Sequence, residues 1–91
     1  MAYIKVYETS LTVGQSSYTS EILTNKFIEL INSGDLRVTS ETLSNGNRKD
    51  TETWRDEAAF NSYIAWVRSS GENLRISAYN TANNITTVVI P

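Results

Sequence analysis

Apolar and polar positions alternate from the start of the chain. In AYIKVYE, Ile4 and Val6 point to one side and Tyr3, Lys5 and Tyr7 to the other, the period of two expected of a strand with one buried face. A Ser/Thr-rich connection with Gly14 follows from Thr9 to Thr19, and Leu11 and Val13 allow the strand to be prolonged into it. The period then changes. In TSEILTNKFIELINSG, Leu23, Phe27, Leu30 and Ile31 recur at helical spacing with Ile28 beside them, while Asn25, Glu29 and Asn32 fall on the opposite side. Thr19 or Ser20 is placed to cap this helix, Glu21 suits the positive end of its dipole, and Gly34 suits the left-handed residue that ends it.

Two threonine-rich extended runs come next, Asp35 to Leu43 and Asn47 to Trp54, joined by Ser44-Asn45-Gly46-Asn47. Asn-Gly is a strong signal for a two-residue type I′ turn, whose central residues both need positive φ. With Asn45 and Gly46 in that turn, Leu43 faces Arg48, Glu41 faces Asp50, Thr39 faces Glu52 and Arg37 faces Trp54.

The stretch Trp54-Arg55-Asp56-Glu57 mixes an aromatic with three charges and admits a catalytic or a structural reading. The structural reading is preferred: Trp54 ends the strand, Asp56 caps the following helix, and Glu57 lies in its first turn. Ala59, Phe60, Tyr63, Ile64, Trp66 and Val67 then share one arc at 100° per residue, and Gly71 closes the helix. The remainder, ENLRISAYNTANNITTVVI, reads as two strands. Leu74, Ile76 and Ala78 alternate with Arg75, Ser77 and Tyr79, and Ile85 to Ile90 follows a turn at Thr81 to Asn84.

The element order predicts one α+β domain spanning residues 1–91. It is a ferredoxin-like βαββαβ antiparallel sheet with both helices on one face and an extra C-terminal strand. At this point the chain resembles the dimeric α+β barrel group, in particular the small antibiotic-biosynthesis-monooxygenase-like domains, in Glu52-Thr53-Trp54-Arg55-Asp56-Glu57-Ala58-Ala59-Phe60. There a hairpin strand ends in an aromatic and an acidic, alanine-and-phenylalanine helix start follows. The resemblance implies a homodimer and, as an alternative function, a cofactor-independent monooxygenase-like or small-ligand-binding barrel. Members of the group often carry a histidine in the second helix. This sequence has none, so their oxygenase or heme chemistry does not carry over.

One feature strains this layout. The third strand of such a sheet is central, yet Lys49, Thr51 and Thr53 on one side and Asp50, Glu52 and Trp54 on the other are mostly polar. An edge position, an altered strand order, a second subunit on the open face, or a hairpin packed only at its base near Leu36, Val38 and Trp54 would accommodate it.

Composition narrows the chemistry. With no cysteine and no histidine among 91 residues, thiolate zinc sites, thiol nucleophiles and every Ser-His or Cys-His pair are excluded. No metal or cofactor is expected. The net charge of -2 argues against a polyanion partner, and the start MAYIKVYETS carries neither an export signal nor a membrane-spanning run. A cytoplasmic protein without membrane or nucleic-acid partners is therefore expected, and the neutral-polar composition suits a small phage-encoded accessory protein.

If the helices cover Ile4, Val6, Leu74 and Ile76, the open face gathers Tyr3, Lys5, Tyr7, Arg37, Trp54, Arg75 and Tyr79, with Glu41, Asp50 and Glu52 farther along the hairpin. The preferred expectation is a non-catalytic binding or assembly module that forms a homodimer through this face, because aromatic and arginine residues are enriched in interface cores. Two others compete with it: a ligand or enzymatic cavity using a tyrosine, Lys5 or a carboxylate, and an RNA-recognition-like stacking surface, which lacks the Lys/Arg-Gly-aromatic signature. A calcium or magnesium site at Glu41, Asp50 and Glu52 has no ligand loop to support it.

Overall fold

The computed structural model describes residues 1–12 and 14–91. Its elements are β1 (Tyr3–Ser10), α1 (Glu21–Asn32), β2 (Leu36–Thr42), β3 (Arg48–Trp54), α2 (Glu57–Ser69), α3 (Glu72–Ala82) and β4 (Thr86–Ile90). The four strands make one sheet in the order β2-β3-β1-β4, antiparallel throughout. The first strand stops at Ser10, short of Leu11, and the proposed continuation at Val13 lies outside the described residues.

The two predicted helices form for the predicted reasons. Ser20 caps α1, its hydroxyl oxygen accepting the Leu23 N–H at 3.1 Å. Asp56 caps α2, its carboxylate accepting the Ala59 N–H at 2.8 Å, with Glu57 in the first turn. Both caps satisfy amides that the helix leaves unpaired, and the second answers the question posed by Trp54-Arg55-Asp56-Glu57.

The hairpin register differs by one residue from the expectation. Glu41 pairs with Lys49, Thr39 with Thr51 and Leu36 with Trp54. The Leu43 N–H donates to the Asn47 carbonyl at 2.7 Å and the Gly46 N–H to the Leu43 carbonyl at 3.0 Å. Gly46 adopts a φ of 88° while Asn45 stays at negative φ, its side-chain oxygen accepting the Asn47 N–H at 3.0 Å. A three-residue loop with a left-handed glycine thus replaces the type I′ turn. A one-residue slip exchanges the two faces of one strand against the other. Glu41 therefore sits on the opposite side of the sheet from Asp50 and Glu52.

The segment read as a strand from Leu74 to Tyr79 is the helix α3. Its enclosed positions, Glu72, Ile76, Tyr79 and Asn80, follow a helical period, whereas Leu74 is exposed. The alternation of Leu74, Ile76 and Ala78 was a coincidence of composition, and the anchor of the true buried side is a carboxylate. Gly71, at a φ of 80°, ends α2 and starts α3 without an intervening loop. Among the described residues the architecture is therefore α+β with four antiparallel strands and three helices. The C-terminal strand is the fourth of the sheet rather than an addition to it.

Leu36 and Trp54, directly opposed on one face of the sheet, pack with Leu30 of α1 and Ala59 of α2, so both helices lie on that face. Tyr3 is also opposite Trp54 and shares its side. The helices therefore cover Tyr3, Lys5 and Tyr7, and Ile4 and Val6 point to the bare side, the reverse of the expectation. The cause is area. Phe60 lies tilted against Tyr3 at 5.2 Å and edge-on to Trp54 at 5.6 Å, and Tyr63 lies 5.1 Å from Trp54. Each aromatic ring buries roughly 150–250 Å², more than Ile4 and Val6 offer.

Candidate functional site

The seven residues expected on one open face are separated. Tyr3, Lys5, Tyr7 and Trp54 lie beneath the helices, Arg37 lies exposed on the bare face, and Arg75 and Tyr79 belong to α3. Arg75 and Tyr79 brace the helix. Arg75 Nη1 donates to the Ser70 carbonyl and to Glu72 Oε2, each at 3.1 Å, and the Tyr79 hydroxyl donates to the Ser16 carbonyl at 2.7 Å. The bare face carries no aromatic ring on its strands among the described residues, so the base-stacking surface considered above is turned inward.

Between sheet and helices lies a half-open cavity of ≈ 310 Å³, inside the size range of small-ligand pockets. The sheet supplies Tyr7, Arg48, Asp50 and Glu52, and the helices close it with largely apolar side chains, among them Phe27, Tyr63 and Val67. This resolves the polarity of β3. The strand is central, and its polar inward positions line a cavity instead of packing into a dry core.

Local pairing fixes each polar group. Arg48 holds Asp50 through Nε at 3.0 Å and Nη2 at 2.9 Å, and the other Asp50 oxygen accepts the Ser40 hydroxyl at 2.6 Å. Glu52 Oε1 accepts the Trp54 Nε1–H at 3.0 Å. Lys5, the cross-strand partner of Glu52, is drawn to aromatic faces, its Nζ 5.5 Å from the Phe60 centroid and 5.9 Å from that of Tyr3. Among the described residues no group of three His, Cys, Asp or Glu side chains is placed to hold a metal.

Burial and neighbouring charge set the protonation. Desolvation, followed by the Glu52 and Tyr3 charges, pushes the Tyr7 phenol up to about 12. Tyr63 is raised further by burial, Glu52 and Tyr7, so neither ring serves as a base near neutrality. Burial also raises Glu52 above its ordinary 4.5, against the Trp54 hydrogen bond, which lowers it. A raised carboxyl favours the folded state below its unfolded value, and that contribution is lost as pH rises through the folded value. Glu52→Gln keeps an acceptor for Trp54 and removes the buried charge. Its thermal midpoint is therefore expected to exceed that of the parent at neutral pH, with the difference vanishing below about pH 4, where both side chains are neutral; calorimetry across that range checks it.

Comparison with protein-family models, with curated proteins and with solved structures returns no match. Of the cavity's polar groups, the sequence reading placed Tyr7, Asp50 and Glu52 together only by assuming the wrong side of the sheet, and it missed Tyr63 and Phe27 as partners. The even spacing of Arg48, Asp50 and Glu52 on a strand whose register includes a buried Trp54 was the available signal.

Proposed function

We propose that the chain is a small-ligand-binding module of ferredoxin-like type, with α3 inserted ahead of the last strand and the ligand seated between sheet and helices. The observation that supports it most is the half-open cavity whose floor is charged and hydroxylated while its walls are mainly apolar and aromatic. Such a combination fixes the orientation of a ligand with a few polar groups and gains affinity from apolar contact. Binding is favoured over catalysis because the phenols of Tyr7 and Tyr63 are held protonated, and Lys5 rests on rings outside the lining. Indole, as a small amphiphile, is expected to bind saturably and to shift the methyl resonances of Val67, Ile76 and Ile85, with Ile76→Trp abolishing the effect by filling the space. Absence of saturable binding contradicts the proposal.

Self-association is a second reading, relocated to the bare face. Ile4 is 58% exposed there and Val88 52%, beside Val6 and Ile90, and an apolar strip on an uncovered sheet suits a second copy of the chain. Sedimentation at tens of micromolar is expected to show a dimer that Ile4→Lys converts to monomer. A parent protein that is already monomeric removes this reading. No helix of the described residues is long and apolar enough to cross a membrane.

A further inference from the structure

The charges of the cavity do not cancel within the protein. Arg48 is committed to Asp50 by two contacts, and the second Asp50 oxygen is taken by Ser40. Glu52 is different. One oxygen accepts the Trp54 N–H, the other accepts no hydrogen bond among the described residues, and no basic side chain lies within ion-pair distance, since Lys5 is turned to Phe60 and Tyr3. The rings of Tyr7, Phe27 and Tyr63 line the same space. A carboxylate lacking a counter-ion beside ring faces, which carry negative potential, is the environment that attracts an organic cation and repels an anion.

We infer that the ligand of this cavity is an apolar organic cation, an amine or quaternary ammonium, whose charge lies against Glu52 and whose body lies between the aromatic rings and the aliphatic walls. This rests on the ligand-binding reading above and adds the chemical class. A divalent metal is disfavoured because the coordinating group is a single carboxylate. A free anion would meet Glu52, and the cation that lines the cavity, Arg48, is already held by Asp50. The groups that bear on Glu52 are Lys5 and Tyr7 from β1, Asp50 from β3 and Tyr63 from α2. Of these Lys5 alone is cationic, so an incoming ammonium supplies the counter-charge that the fold leaves out.

Three aromatic probes of similar size separate the possibilities: benzylamine, benzyl alcohol and benzoate, titrated at about pH 8, where the amine is protonated. The charged amine is expected to bind about tenfold more tightly than the alcohol, the margin of one charge-assisted hydrogen bond, and benzoate is expected not to bind. In Glu52→Gln the amine and the alcohol should agree within about twofold, with the alcohol's own affinity unchanged as a sign that the cavity is intact. In the parent protein the advantage of the amine should also shrink as pH is lowered toward about 4 and Glu52 takes up its proton, a check that requires no variant. Equal affinities for amine and alcohol in the parent, or an amine preference that survives Glu52→Gln, overturns the cation assignment while the cavity reading stands. Failure of all three probes to bind overturns both.

Discussion

Trp54→Ala is expected to lower the unfolding free energy by about 3–5 kcal/mol, the range found when a large aromatic is removed from a core. Folded domains are stable by roughly 5–15 kcal/mol, so this single change removes a large share of the total. The magnitude follows from position. Trp54 is 0% exposed, opposes both Tyr3 and Leu36 across the sheet, and touches Phe60 and Tyr63 of α2. Its loss removes the contact that joins three strands to a helix. It also strips Glu52 of its hydrogen bond, leaving a half-buried carboxylate without a donor. Trp54→Phe keeps most of the apolar contact and loses the N–H, so its cost should be clearly smaller. Urea denaturation of the three proteins, followed by circular dichroism, checks both statements.

The second large effect is expected at Glu72. Its side chain is 0% exposed, yet it is ionised and fully engaged: it accepts the Ser20 hydroxyl, the Tyr18 hydroxyl at 2.9 Å and Arg75 Nη1 at 3.1 Å. Ser20 also caps α1, so one carboxylate joins the start of α3 to the start of α1. Removing it leaves the half-buried Ser20 and Tyr18 hydroxyls without this acceptor, a costly outcome away from water, while Arg75 keeps the Ser70 carbonyl. Glu72→Ala should lower the thermal midpoint, and hydrogen exchange should show α3 and the Gln15–Ser20 connection opening first. The pH dependence has a definite sign. The Ser20 hydrogen bond chiefly, with help from Tyr18 and Arg75, holds the Glu72 carboxyl below its ordinary 4.5. A depressed carboxyl contributes stability that is complete above the unfolded value and is lost as pH falls through the folded one. The parent should therefore lose this contribution on acidification below 4.5, and Glu72→Gln should flatten that part of the curve. Glu52, raised rather than lowered, acts in the opposite direction over neighbouring pH, so the two variants should deviate from the parent with opposite slopes.

Much of the fold was legible because local signals agreed. Ser20 and Asp56 sit where caps belong, the apolar positions of α1 and α2 keep a helical period, and β1 alternates cleanly. The failures share a physical cause, which is that burial here is decided by contacts far apart in sequence. Ile4 and Val6 are more hydrophobic than Lys5 and Tyr7, but the inner face is set by Trp54, Phe60 and Tyr63 meeting Tyr3, and the smaller aliphatic pair is left outside. In α3 the deciding residue is Glu72, which a hydrophobic pattern assigns to solvent because its partners, Tyr18, Ser20 and Arg75, include two that are more than fifty residues away. The Asn45-Gly46 signal located the turn correctly and its type incorrectly. A glycine alone at positive φ suffices for a three-residue loop, and the resulting slip carries Glu41 away from Asp50. The candidate site moved with the sheet face: of its sheet-borne residues Tyr7, Asp50 and Glu52 were named, Thr9, Arg48 and Thr87 were not, and the surface they face was reversed.

Xenon, which enters apolar cavities without polar contacts of its own, probes this arrangement directly. Methyl spectra recorded under xenon pressure should show saturable shifts at Leu23, Ile64, Val67 and Ile85, which border the half-open space between sheet and helices. Ile4 and Val88 on the bare face should move little. Shifts confined to Ile4 and Val88, with Leu23 and Val67 unmoved, would contradict a cavity beneath the helices and the orientation of the sheet that creates it.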